Sequence, residues 1–245
     1  MDNIQGKISV NIRAMIERLI KKKYIIICGH YGTGKTNISV NLAINIKNAA
    51  NIAYTVVDLD IVNPYFRSAD NIGDLREHGI DCIIPQFANT NIDIPAVSPE
   101  VYSIFRDDKR AVIDVGGDDT GATALGMFSS KINKIGDNSE YEMIYVINKY
   151  RALISDIEQV KNLADFIEKK SKLRISSLIN NSNAGEMTTE DYILNSFDYA
   201  DKAADIIGVP LIGTSVTGKI AERIPDNLKE KYKIFEIKDY TKKYF

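Results

Sequence analysis

Residues 29 to 36 read Gly29-His30-Tyr31-Gly32-Thr33-Gly34-Lys35-Thr36 and stand between a short apolar run and an amphipathic pattern. The preceding run, Tyr24-Ile25-Ile26-Ile27-Cys28, is almost wholly apolar, as a strand buried on both faces of a parallel sheet must be. After the loop, Ile38, Leu42 and Ile46 recur at helical spacing, so the loop opens a helix. Strand, G-x-x-x-x-G-K-[ST] turn and helix in this order form a cradle for a chain of phosphates. Glycines let backbone amides turn inward, the helix N-terminus adds partial positive charge, Lys35 reaches the terminal phosphates and Thr36 offers its hydroxyl to Mg²⁺. All eight residues are therefore expected to bind a nucleotide's phosphates.

The rest of the chain repeats the same alternation. Strand-like runs recur at Ala53 to Val57, Cys82 to Ile84, Ala111 to Asp114, Met143 to Ile147, Ile175 to Ile179 and Leu211 to Thr214, which makes seven with the first. Helical patterns lie between them. One runs from Ser155 to Lys170, with Ser155 and Glu158 as a capping box and Ile157, Val160, Leu163 and Ile167 on one face. The pattern predicts an α/β fold with a parallel sheet covered on both sides and ligands at the carboxyl ends of the strands. With 245 residues, 44% of them hydrophobic, the expectation is one P-loop NTPase domain. Its core would span 23–215, preceded by a helical extension at 1–22, where Ile12, Met15, Ile16 and Leu19 share a face, and followed by a C-terminal extension at 216–245.

A formal charge of −2 leaves no global footprint for nucleic acid or an anionic membrane. No apolar run is long enough to span a bilayer, no signal-peptide pattern opens the chain, and the only cysteines, Cys28 and Cys82, read as reduced thiols of a cytoplasmic protein. Together with His30 and His78 they make a Cys₂His₂ inventory, which is set aside as a metal site because His30 belongs to the phosphate loop. The tail from Leu228 to Phe245 carries six lysines and three acids with scattered aromatics, and reads as a strand or helix packed on the domain rather than a membrane-surface helix.

What is done with a bound nucleotide depends on carboxylates that hold Mg²⁺ and the attacking water. Two strands end in them: Val56-Val57-Asp58-Leu59-Asp60 and Val112-Ile113-Asp114-Val115-Gly116-Gly117. Asp58 and Asp60 lie two apart in an extended chain and so point to one side. Asp114 has a Walker B context, in which it holds the metal shell while Gly117 lets an amide approach the γ-phosphate. Asp118 or Asp119 then caps the following helix.

The order GHYGTGKT, VVDLD, VIDVGG resembles the MinD/ParA class of P-loop ATPases, which also includes the CobQ/CobB-type enzymes, over roughly residues 23 to 215. The resemblance implies a seven-stranded sheet of order 3-2-4-1-5-6-7, Thr36, Asp58 and Asp114 at the metal, and catalysis by Lys35, Asp58 and Asp60, with Asp60 positioning water. It also implies γ-phosphate sensing by Asp114 with Gly117 and base recognition by Asn181, in Leu178-Ile179-Asn180-Asn181-Ser182-Asn183. The N-K-x-D signature of GTPases is not evident: Asn148-Lys149-Tyr150-Arg151 lacks its Asp, which favours ATP. The implied activity is that of a slow, partner-stimulated Mg·ATP hydrolase acting as a switch on a partner protein, with a possible ATP-dependent homodimer. The alternatives are an ATP-dependent enzyme activating a small carboxylate substrate, of the CobQ/CobB or dethiobiotin-synthetase kind, and an ATPase for metallocentre assembly. One departure from the class is His30, which stands where it carries a signature lysine; Tyr31 also replaces a glycine. Arg67 is a candidate charge-stabilising arginine, and the polar stretch from Gln86 to Val97 a candidate substrate or partner loop.

Overall fold

Strand β1 (Tyr24–Cys28) is buried along its whole length, and its alternate residues divide between two cores. Tyr24, Ile26 and Cys28 join one and Ile25 and Ile27 the other, which is why the run shows no polar alternation. The computed structural model describes residues 10–60, 72–84, 99–106, 108–117, 119–133, 140–151 and 156–240. Arg67, the Gln86 to Val97 stretch and Asp118 lie outside them.

Around β1 the described strands are β2 (Thr55–Leu59), β3 (Cys82–Ile83), β4 (Ala111–Val115), β5 (Tyr141–Ile147), β6 (Ser177–Asn180), β7 (Leu211–Thr217) and β8 (Ile234–Ile237). They form one sheet of order β3-β2-β4-β1-β5-β6-β7-β8, and every described pairing is parallel. The chain is a parallel α/β protein with a P-loop NTPase-like fold. The expected count of seven strands is corrected to eight. The additional strand, β8, comes from the lysine-rich tail, where Ile234 and Phe235 are buried and the Phe235 ring lies over Gly213 of β7. A Cβ at Gly213 would approach that ring to 2.8 Å, so the glycine makes room for the edge strand.

Helix α1 (Val10–Leu19) and helix α2 (Lys35–Ala50) cover one face of the sheet. The stripe Ile12, Met15, Ile16 and Leu19 is buried there, as its spacing predicts. Leu75 of α3 (Ile72–Glu77) joins the same core. The opposite face is covered by α4 (Asp119–Met127), α5 (Ser129–Ile132), α6 (Ile157–Ser171) and α7 (Glu190–Ile207), together with a 3₁₀ segment at Pro99–Phe105. Short helices α8 (Gly218–Ala221) and α9 (Asp226–Lys231) lead into β8. Helix α6 starts two residues later than its pattern predicts. Its N-cap is Asp156, whose carboxylate accepts the Glu158 amide, and Ser155 lies outside the described residues.

This topology sets β4 directly between β2 and β1. The register places Asp58 beside Asp114, and Asp114 beside Ile27, so the carboxylates of two strands and the start of the phosphate loop meet at one end of the sheet.

Candidate nucleotide site

The loop from Gly29 to Gly34 is built on positive φ. Gly29, Gly32 and Gly34 have φ of 145°, 75° and 86°, a region that residues with a Cβ rarely enter. Space adds a second constraint at Gly29, where a Cβ would fall 2.3 Å from the Val146 carbonyl oxygen. Inside the turn, the His30 carbonyl accepts from Thr33 Oγ1 at 2.9 Å and from Lys35 Nζ at 3.1 Å. The Lys35 side chain is thus folded back along the cradle, 7% exposed, with its ammonium held over the loop. Tyr31 stands out at 46% exposure. The His30 ring contacts the Tyr31 carbonyl through Nδ1 at 2.9 Å; since a carbonyl only accepts, that nitrogen carries a proton.

Thr36 donates its hydroxyl to Asp114 Oδ2 at 2.6 Å, joining the first turn of α2 to the end of β4. Asp114 and Asp58 are 2% and 1% exposed. Among the described residues, Asp114 Oδ1 is buried without a completed hydrogen bond, although the Ser39 hydroxyl lies near enough to favour the carboxylate. Burial pushes the Asp114 carboxyl up from 3.8 to about 6, against the Lys35 ammonium and the Thr36 hydroxyl, which favour the carboxylate; Asp60 adds a further upward push. A hydroxyl and carboxylates, with one carboxylate oxygen unused, make an all-oxygen donor set that suits Mg²⁺. Thr36 and Asp114, with Asp58 alongside, would hold the ion. Asp58 Oδ1 accepts the Asp60 amide at 2.8 Å, which keeps Asp60, partly exposed, close enough to Asp114 to act on its carboxyl.

The raised pKa has a consequence for stability in the absence of Mg²⁺. The folded protein holds the Asp114 proton more tightly than the unfolded chain does, so this contribution is complete below pH 3.8 and is lost as pH rises through about 6. The thermal midpoint of the metal-free protein should decline between pH 5 and pH 7, and an Asp114→Asn variant should lack that part of the decline. Differential scanning calorimetry of the two proteins across this range checks it; parallel pH profiles would refute the assignment.

The turn Gly116-Gly117 after β4 lies against the loop itself. A Cβ at Gly117 would come within 2.5 Å of the Tyr31 amide nitrogen, 2.7 Å of its Cα and 2.9 Å of the His30 carbonyl carbon. Two backbone segments distant in sequence are therefore in direct contact beside the phosphate-loop motif.

Asn181 also reaches the loop. Its side chain donates to the Thr33 carbonyl at 2.7 Å and accepts from Ser215 at 2.5 Å, so both ends of an amide expected at the base edge are engaged within the protein. Arg151, just past β5, was not singled out from sequence as a site residue, yet its Nε donates to the Gly32 carbonyl at 2.7 Å. Its position after a strand end is a faint signal, and the contact itself is not readable from spacing. His78, just after α3, and Cys82, in β3, stand apart from this cluster.

The chain matches no family model and no curated protein. Solved structures give remote likenesses. The signal recognition particle 54 kDa protein of Aeropyrum pernix K1, crystallised in complex with GDP, is 18% identical over 79% of this chain and 41% of its own, with a TM-score of 0.47. The cell division protein FtsY of Thermotoga maritima is 18% identical over 81% of this chain and 66% of its own, with a TM-score of 0.45. The signal recognition particle receptor FtsY of Elizabethkingia anophelis is 21% identical over 82% of this chain and 59% of its own, also at 0.45. The chain spans about two fifths to two thirds of the length of these proteins. They are a signal recognition particle protein, a cell division protein FtsY and a signal recognition particle receptor rather than MinD/ParA-type ATPases, and the resemblance to the MinD/ParA class is corrected accordingly. The physical reason is that the residues carrying the resemblance are those any triphosphate cradle needs, whereas the lysine particular to that class is here His30. The chain thus has a parallel α/β fold of the P-loop NTPase type, and no described helix is long and apolar enough to cross a membrane.

Proposed function

We propose that the chain binds Mg·ATP, hydrolyses it slowly and serves as a switch whose state a partner protein reads. The observation that carries this is the seating of the Gly117 turn on the His30-Tyr31 backbone, one element in contact with both the phosphate loop and the start of α4. In this reading Lys35 moves from the His30 carbonyl to the β- and γ-phosphates, Thr36, Asp58 and Asp114 hold Mg²⁺, and Asp60 orients water. Attack of that water on the γ-phosphorus breaks its bond to the bridging oxygen and leaves ADP and phosphate. Release of phosphate then frees the Gly117 turn to move with α4.

ATP is favoured over GTP by Arg151. A guanidinium only donates, so it cannot accept from the ring N–H and amino group of guanine as the Asp of N-K-x-D does. A cytoplasmic setting fits Cys28 and Cys82, neither of which forms a disulfide.

Calorimetry with Mg·ATP and Mg·GTP tests the binding. Hydrogen exchange at 115–127 in the presence of a non-hydrolysable ATP analogue or ADP tests the switch. Added protection with the analogue and its loss with ADP are expected; identical exchange in the two states would sink the switch. Sedimentation with the analogue shows whether the reader is a second copy of the chain.

A further inference from the structure

Asn181 follows β6, and its backbone amide continues the sheet by donating to the Ile147 carbonyl at 2.9 Å. Its side chain turns toward the loop. The Thr33 carbonyl can only accept, so the contact at 2.7 Å identifies the amide nitrogen, and the 2.5 Å contact from the Ser215 hydroxyl falls to the amide oxygen. Asn181, Thr33 and Ser215 are all buried. A Cβ at Gly34 would lie 2.2 Å from the Asn181 amide nitrogen. The missing side chain at Gly34 thus makes room for that amide as well as allowing the backbone turn. Neighbouring asparagines are similarly engaged: Asn148 with Tyr150 and Asn183, Asn180 with Ser182 and Ser196, and Asn183 with Asn181 and Gly185.

We propose that Asn181 is a positioning residue for the triphosphate cradle rather than a reader of the base. A trans peptide sends its C=O and the following N–H in opposite directions. Tying the Thr33 carbonyl outward therefore aims the Gly34 amide inward, where a phosphate oxygen accepts it. Ser215 locks the asparagine rotamer from β7, so the loop is braced from the far side of β6. The inference rests on the reading of residues 29–36 as a phosphate site.

The test compares wild type with Asn181→Ala and Ser215→Ala. Three probes are used: amide exchange of residues 33–36 without ligand, calorimetry with Mg²⁺ and inorganic tripolyphosphate, and the ratio of ATP to GTP affinity. In Asn181→Ala, exchange should quicken and affinities for tripolyphosphate, ATP and GTP should fall together by about tenfold, the scale of one lost buried hydrogen bond. Ser215→Ala should show the same pattern more weakly, and it carries the test by itself if Asn181→Ala does not fold. Unchanged tripolyphosphate affinity with a shifted ATP to GTP ratio would make Asn181 a base reader and overturn the proposal. A lowered thermal midpoint with unchanged loop exchange and unchanged affinities would overturn it too, as a purely structural role. Failure of wild type to bind Mg·tripolyphosphate would sink the functional reading, while exchange in the ligand-free loop still judges the brace.

Discussion

Lys35→Ala is expected to weaken Mg·ATP binding by about 100-fold, roughly 2.7 kcal/mol, while leaving the protein folded. Lys35 is 7% exposed, with its ammonium within hydrogen-bond distance of the loop's own His30 carbonyl. It is thus already stripped of most of its water before a nucleotide arrives. Exchanging a neutral carbonyl for phosphate oxygens replaces an ordinary hydrogen bond with charge-assisted ones in a poorly hydrated site, which are roughly twice as strong. In the ligand-free protein the alanine variant gives up the contact to His30, worth about 1 kcal/mol. Isothermal calorimetry with Mg·ATP, paired with a thermal melt, separates the two effects. A dissociation constant within about threefold of wild type would remove the phosphate-cradle reading altogether.

The second large effect is expected at Gly117. The atoms that a Cβ would meet, at 2.5 to 2.9 Å, belong to the His30 and Tyr31 backbone, and backbone cannot rotate aside as a flexible side chain can. The strain must be relieved by separating the turn from the loop. Gly117→Ala should therefore lower stability by about 1 to 3 kcal/mol, the range of overpacked sites, and abolish the difference in α4 protection between the ATP analogue and ADP. Gly73 in α3 provides the control. A Cβ there meets nothing within 4 Å, and alanine in an exposed helix should be neutral or stabilising by up to about 1 kcal/mol. If Gly117→Ala kept the nucleotide-dependent protection, the turn would not be the sensing element.

Much of the site was legible before any coordinates because its requirements are local. The positive φ of Gly29, Gly32 and Gly34, the buried β1 and the helix opening at Lys35 all follow from spacing within some twenty residues. The amphipathic stripe of α1 was equally readable, since burial of one helical face leaves a period in the sequence. Boundaries were less so: Asp156 displaced Ser155 as the cap of α6 because two neighbouring residues could each serve, and the position of the first turn chose between them. The tail was readable only as a strand or helix, because an edge strand four residues long, flanked by Lys233 and Lys238, gives little periodicity, and its room depends on Gly213 in another strand.

By itself, then, the sequence determined the phosphate loop, the parallel α/β alternation and the carboxylates waiting at the strand ends, since each rests on contacts between near neighbours in the chain. The tertiary structure decided which distant segments touch the loop: the Gly117 turn against Tyr31, the Arg151 guanidinium on Gly32, and the Asn181 amide on Thr33 from a separation of 148 residues. Those contacts depend on strand order, which brings β4, β5 and β6 to the same end of the sheet. The phosphate-loop motif is local and legible in the sequence, whereas the contacts made to it by distant segments run across the sheet and leave no motif.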